Sequence, residues 1–224
     1  MAYQDLINCR FCDRLAAYRE EVARVKKKST MNTTYWGKPV PGFGDLDGQV
    51  LVVGLAPGAH GSNRTGRMFT GDASGGFLYP ALFRAGFASQ PESTHIGDGM
   101  QLKNMFITSV CRCVPPQNKP LPSEIRKCSQ YLEYELSHMK NLKIIVSLGS
   151  IAQRNIQKYY SSLLGEKVNY PFQHGRYDKL SGNYPFLISS YHPSRQNTQT
   201  GRLTIEMFDQ IWITVNTILD NNMD

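Results

Sequence analysis

Hydrophobic and polar positions along the chain switch between two periods. Four short apolar, β-branched runs read as buried strands: Gln49 to Val53, Met105 to Val110, Lys143 to Leu148 and Pro185 to Ser190. Around them, apolar residues recur at helical spacing. Phe77, Leu78, Leu82 and Ala85 mark a helix that Gly86 closes. Ser123 to Met139, with Ser123 as N-cap, Ser150 to Tyr160 and Thr204 to Leu219 predict three more. An earlier helix, Asp13 to Lys28, places Leu15, Tyr18, Val22 and Val25 on one face and ends in Lys26-Lys27-Lys28. That basic run reads as a solvated helix end, where cations suit the dipole. Strands alternating with helices predict an α/β fold: a three-layer α/β/α sandwich around a mostly parallel, four-stranded sheet. No repeat or low-complexity tract divides the chain, so residues 1–224 are expected to form a single domain.

In such sheets ligands bind beyond the carboxyl ends of the strands. Three loops lie there, after Val53, after Val110 and after Ser190. The first runs from Gly54 to Gly75, 22 residues where connectors of this class commonly have fewer. It lacks the Lys-Ser/Thr ending of a phosphate-binding P-loop, and its glycines miss the dinucleotide spacing. It does offer open backbone N–H groups, Arg64 and Arg67, His60, the carboxylate Asp72 and the aromatic Phe69. The third loop begins Tyr191-His192-Pro193-Ser194-Arg195. A histidine at a strand end, fixed by the proline after it, faces the expected crevice, unlike His95, His138 and His174. A Pro/Gly-rich stretch, Trp36 to Asp45, carries Trp and Phe that a free linker would rarely hold, so it is expected to pack.

Five cysteines change the picture further. Cys9-x-x-Cys12 has a metal-ligand spacing, with Cys111, Cys113 and Cys128 far downstream. Four thiolates suit zinc or an iron–sulfur cluster, and spacing does not separate the two; nor does it decide between Cys111 and Cys113. The N-terminal stretch, with Asp5 and Arg10, lacks the apolar core of a secretion signal, and no apolar run approaches membrane-spanning length. A cytoplasmic protein is expected. The chain carries 25 Lys and Arg against 18 Asp and Glu, a net charge of +7 that favours a polyanionic partner.

The run Gly54 to Gly75 and the segment His192-Pro193-Ser194 resemble motifs 1 and 2 of the uracil-DNA glycosylase superfamily, most closely its family 5, or type B. Trp36 to Asp45 and Cys113-Val114-Pro115-Pro116-Gln117-Asn118-Lys119-Pro120 extend the resemblance over nearly the whole chain. It implies an α/β/α sandwich with a [4Fe-4S] cluster held by Cys9, Cys12, Cys113 and Cys128, leaving Cys111 free. It implies hydrolytic removal of uracil, and of other deaminated bases such as hypoxanthine, from DNA by base flipping; no lyase step is expected, because the crevice loops supply no lysine nucleophile, Lys119 lying near but in a proline-rich stretch. Phe69 matches the aromatic that stacks on the flipped base. Gly54, Leu55, Ala56 and Ser109 match positions around the base. Serine stands at 109 where related enzymes often carry asparagine, which predicts broad base specificity. Asp72 is the expected carboxylate, toward water or the sugar cation, and His192 the expected donor to the departing base. Arg67, Ser194 and Arg195 suit phosphate contacts. A monomer is expected, with a sliding clamp as the protein partner to look for. A non-catalytic DNA-binding protein with a structural metal would explain the charge and the cysteines, but would leave Asp72 and Phe69 without a role.

Overall fold

The computed structural model describes residues 3–221. Its strands are β1 (Phe43–Gly44), β2 (Val50–Gly54), β3 (Met105–Ser109), β4 (Ile144–Leu148), β5 (Tyr177–Lys179) and β6 (Phe186–Ser190). Its helices are α1 (Asp13–Val25), α2 (Ser62–Thr65), α3 (Ala73–Arg84), α4 (Pro122–His138), α5 (Ser150–Leu164), α6 (Arg195–Gln199) and α7 (Ile205–Asp220). The strands form one sheet in the order β1-β3-β2-β4-β6-β5.

The four apolar runs become β2, β3, β4 and β6, and these pair in parallel. Every residue of β2, β3 and β4 is buried, which is why each opens on three consecutive apolar residues instead of alternating apolar with polar ones. The sheet is nevertheless six-stranded and mixed, not four-stranded. β1 and β5 add antiparallel edges, against β3 and β6 respectively. No apolar period betrays either edge: β1 is two residues inside the Pro/Gly-rich stretch, and β5 is the largely exposed Tyr-Asp-Lys.

Strand side chains alternate between two cores. Val50 and Val52 pack with Leu78 and Leu82 of α3 and with Phe208 and Trp212 of α7. Leu51 and Val53 pack with Leu132 and Leu136 of α4 and with Ile156 and Tyr160 of α5. These are the outer layers of the expected sandwich. Among the described residues no helix is long and apolar enough to cross a membrane.

Helix boundaries depart from the apolar pattern where a polar group takes over. α1 stops at Val25 because Lys26 adopts φ +58° and turns the chain. α3 starts at Ala73, four residues before Phe77, because the Asp72 side chain accepts the Gly75 N–H at 3.1 Å and caps the helix. α4 starts at Pro122 rather than being capped by Ser123. There the Glu124 carboxylate accepts the Leu121 N–H at 2.7 Å, and proline suits the first turn. α6, which no apolar period announces, is capped by Ser194.

The Trp36 stretch does pack, as a strap. Trp36 and Gly37 donate backbone N–H groups to the carbonyls of Arg64 and Asn63, at 2.9 and 3.0 Å, and Val40 donates to Arg112 at 2.8 Å. It thereby joins the loop after β2 to the loop after β3. Beneath it, the buried Arg112 guanidinium pairs with Glu135 of α4 and with Thr108 of β3. The strand end, the cysteine-bearing loop and α4 are fixed together.

Candidate active site

All three crevice-side loops line one cavity of about 910 Å³ at the carboxyl end of the sheet. Leu55, Ala56, Phe69, Asp72, Ser109 and His192 all line it. The long first loop is compact: Arg64 donates to the His60 carbonyl at 2.8 Å and to the Gly71 carbonyl at 3.0 Å, bracing both ends of the turn.

Phe69 is held in a left-handed conformation, φ +52°, which a bulky residue adopts only when its surroundings over-determine it. Its ring crosses the end of β2 where Gly54 leaves room; a Cβ at 54 would lie 2.7 Å from the ring's Cζ. Gly54 therefore serves the site as the seat of Phe69. The ring centroid is 5.9 Å from that of His192, with 31° between planes.

His192 follows β6, its carbonyl held by the Asn197 side-chain amide at 2.9 Å and the Ser194 N–H at 2.7 Å. Among the described residues its imidazole has no hydrogen-bond partner, so its nitrogens are left for a ligand. Burial pushes its pKa from 6.5 down to about 4, so the ring is neutral at pH 7. Asp72 sits at the N-terminus of α3 in a notch that lacks side chains; a Cβ on Gly61 would lie 2.0 Å from its Oδ2. Burial raises its pKa above the ordinary 3.8, against the lowering pull of the Gly75 and Ser74 N–H groups and Arg64. Ser109 donates its hydroxyl to the Cys111 carbonyl at 2.7 Å. With its proton given to that carbonyl, its lone pairs are left to accept from a ligand.

One expected DNA contact is corrected. Arg67 is buried, 5% exposed, and its guanidinium is taken up by Asp98, Ser93 and Thr70 beneath the Phe43 ring. It lines a separate groove and not the crevice. Ser194 and Arg195 do line the crevice, although the Ser194 hydroxyl also accepts the Asn197 N–H as the α6 cap. Sequence reasoning missed Gln117 and Asn118, which line the crevice from the loop after β3 with φ of +55° and +57°. Consecutive left-handed residues without glycine were the signal, and only coordinates reveal them. His60, which the first loop offers, does line the crevice, and its Nδ1 meets the Tyr35 hydroxyl at 3.0 Å. Partial burial and the cations Lys27 and Arg64 lower the pKa of His60.

Cys9, Cys12, Cys113 and Cys128 line a second, small chamber between the N-terminal segment, α4 and the loop after β3. N–H donors face two of its sulfurs. Buried Arg19 donates to Cys113 Sγ and to the Cys9 carbonyl, both at 3.0 Å, and the Arg112 N–H lies 3.3 Å from Cys128 Sγ. Lys127 lines the same chamber. Cys111 is fully buried beside Cys128 and does not line it. Among the described residues no three Cys, His, Asp or Glu side chains converge as ligands of a single ion do.

The crevice lies at the carboxyl ends of the four parallel strands of an α/β fold, where such folds place their ligand sites, and it brings together an aromatic ring, a buried carboxylate and a neutral histidine. Residues 41–216 match the family model described as Uracil DNA glycosylase superfamily, and the chain belongs to that superfamily. Its relatives include the type-5 uracil-DNA glycosylase of Thermus thermophilus, 50% identical over 208 residues, which are 93% of this chain and 92% of the relative. The type-5 uracil-DNA glycosylase of Pyrobaculum aerophilum is 42% identical over 92% of this chain and 87% of its own length. A type-4 uracil-DNA glycosylase from the same organism is 30% identical over 71% of this chain and 74% of its own. The crystal structure of wild-type Pedobacter heparinus SMUG2 is similar in fold, with a TM-score of 0.50 and 15% identity over 78% of this chain and 77% of that one.

Proposed function

We propose that the protein is a monofunctional uracil-DNA glycosylase that also removes other deaminated bases, working on a nucleotide flipped out of the duplex. The observation that carries this reading is the meeting of Phe69, Asp72 and His192 on one crevice. Flipping costs a few kcal/mol, which pocket contacts must recover. The Phe69 ring supplies a stacking face. Cleavage of the N-glycosidic bond leaves positive charge on the sugar and negative charge on the base. Neutral His192 keeps an N–H to donate to the base oxygen as charge develops there. Asp72, ionised, opposes the sugar cation and orients or deprotonates water. Arg195 and Ser194 meet phosphate.

The Ser109 geometry supports the wider substrate range. A hydroxyl whose proton is given to the Cys111 carbonyl suits a ring N–H, which uracil, hypoxanthine and xanthine all present beside a carbonyl. Cytosine and adenine present a bare ring nitrogen at the corresponding position. Duplexes carrying uracil, hypoxanthine, xanthine, cytosine or adenine at one site are expected to lose the first three bases and retain the last two, read as alkali-labile sites. Release of uracil alone would restrict the reading to uracil. Release of nothing would leave a DNA-binding protein without catalysis.

The four chamber cysteines would hold the [4Fe-4S] cluster, with Arg19, Lys127 and the Arg112 N–H offsetting its negative charge. When bound, the cluster would supply a covalent tie between the N-terminal segment, the loop after β3 and α4. Protein purified without oxygen is expected to be brown, with iron and sulfide in equal amounts, and Cys113→Ser to lose both. A colourless protein carrying zinc would overturn the assignment.

A further inference from the structure

The crevice mouth carries charge that the chemistry above does not use. Among the described residues Lys27, Arg64, Lys119 and Arg195 line it against a single carboxylate, Asp72, and of these cations only Arg195 has a role above. Arg64 is spent on the carbonyls of its own loop. Lys27 and Lys119 are exposed, and among the described residues neither ammonium meets a carboxylate or another acceptor.

Both lysines stand on braced backbone. The Lys27 carbonyl accepts the Thr30 N–H at 2.8 Å and the Thr30 hydroxyl at 3.2 Å. That hydroxyl also lies 2.7 Å from the Tyr35 hydroxyl, which reaches His60 in the first crevice loop. Lys119 donates its N–H to Pro116 at 3.0 Å, and its carbonyl accepts from Arg14 of α1 at 3.3 Å. The end of α1 is thus tied to the loop that carries Phe69 and Asp72, and the loop after β3 is tied to α1. The basic run is therefore not a uniform solvated helix end. Lys26 folds back onto the Met31 carbonyl at 3.2 Å, and Lys27 alone of the three lines the crevice.

We propose that Lys27 and Lys119 hold backbone phosphates of duplex DNA beside the extruded nucleotide. This rests on the glycosylase reading. An ammonium is a point charge with no preference among bases, so these contacts would set affinity and register while the crevice floor reads the base. Each phosphate neutralised on a duplex contributes about 0.9 to the slope of log K against log salt.

The test compares wild type with Lys27→Gln/Lys119→Gln, binding a labelled duplex that carries one tetrahydrofuran abasic analogue. Single-turnover release from a U·G duplex at saturating enzyme is measured alongside. The double variant is expected to flatten the salt slope by about 1.8, so its deficit shrinks about 12-fold between 50 and 200 mM salt. Its KM is expected to rise while the saturated rate holds. Lys103→Gln, an exposed lysine at the opposite end of β3, should leave slope and rate unchanged. An unchanged slope in the double variant, with wild type active, overturns the proposal. So does a fall in the saturated rate with the slope intact, which would move the lysines into the chemistry. If wild type neither releases uracil nor prefers the abasic duplex, the glycosylase reading itself fails.

Discussion

Asp72→Asn is expected to lower the saturated rate of uracil release by about 100-fold or more while leaving the protein folded. The two halves of that expectation separate because Asp72 has two jobs. Its Oδ1 caps α3 by accepting the Gly75 N–H. Asparagine caps a helix about as well as aspartate, so this substitution keeps the cap and removes only the charge. Asp72→Ala would remove both, adding a cap loss of about 0.5–2 kcal/mol, and is the poorer probe. The pH behaviour gives an independent sign. Burial raises the folded pKa of Asp72 above its unfolded value, so the folded state binds the proton more tightly. The ionised carboxylate therefore costs stability above that raised pKa, and the cost disappears as pH falls through it. Asp72→Asn should melt no lower than wild type at pH 7, and wild-type activity should fall on the acid side at a pH above 3.8. A rate loss below about tenfold would leave Asp72 as a cap alone and put the chemistry on His192 and backbone donors.

The parts of this molecule that were legible in the sequence are those governed by periodicity and by long ungapped motifs. β2, β3, β4 and β6 announce themselves because each opens on three consecutive apolar residues, as strands covered on both faces do. β1 and β5 do not, because an edge strand of two or three residues has no room for a period. The three crevice loops followed from one topological rule, and Phe69, Asp72 and His192 do line one cavity. Arg67 was misread for a reason the sequence conceals. Its partner Asp98 is 31 residues away, and no local pattern distinguishes an arginine that meets a phosphate from one locked under a phenyl ring. Lys27 stays exposed, as a solvated helix end would, yet it also lines the crevice. As the second of three lysines after a helix it looks solvated, and only the +58° turn at Lys26 brings it to the crevice.

His192→Ala is expected to lower the saturated rate by about 10²–10³-fold, the usual loss when one donor to a developing anion is removed. His192→Asn, whose amide can still donate, should recover part of it. The feature that makes the argument specific is the charge of the ring. An imidazole of ordinary pKa would be partly cationic at pH 6, and the rate would then break near 6.5. Burial holds His192 neutral down to about pH 4, so no break is expected near 6.5. The same depression has a stability consequence of definite sign. Between 6.5 and about 4 the unfolded chain takes up a proton on this residue while the folded one does not, so acid destabilises the fold across that window. His192→Asn removes that contribution, and its unfolding free energy should fall less steeply than wild type's over the same interval. A wild-type rate that breaks at 6.5, with stability curves that run parallel, would mean a cationic donor. The neutral ring beside Phe69 would then have no part in carrying charge off the base.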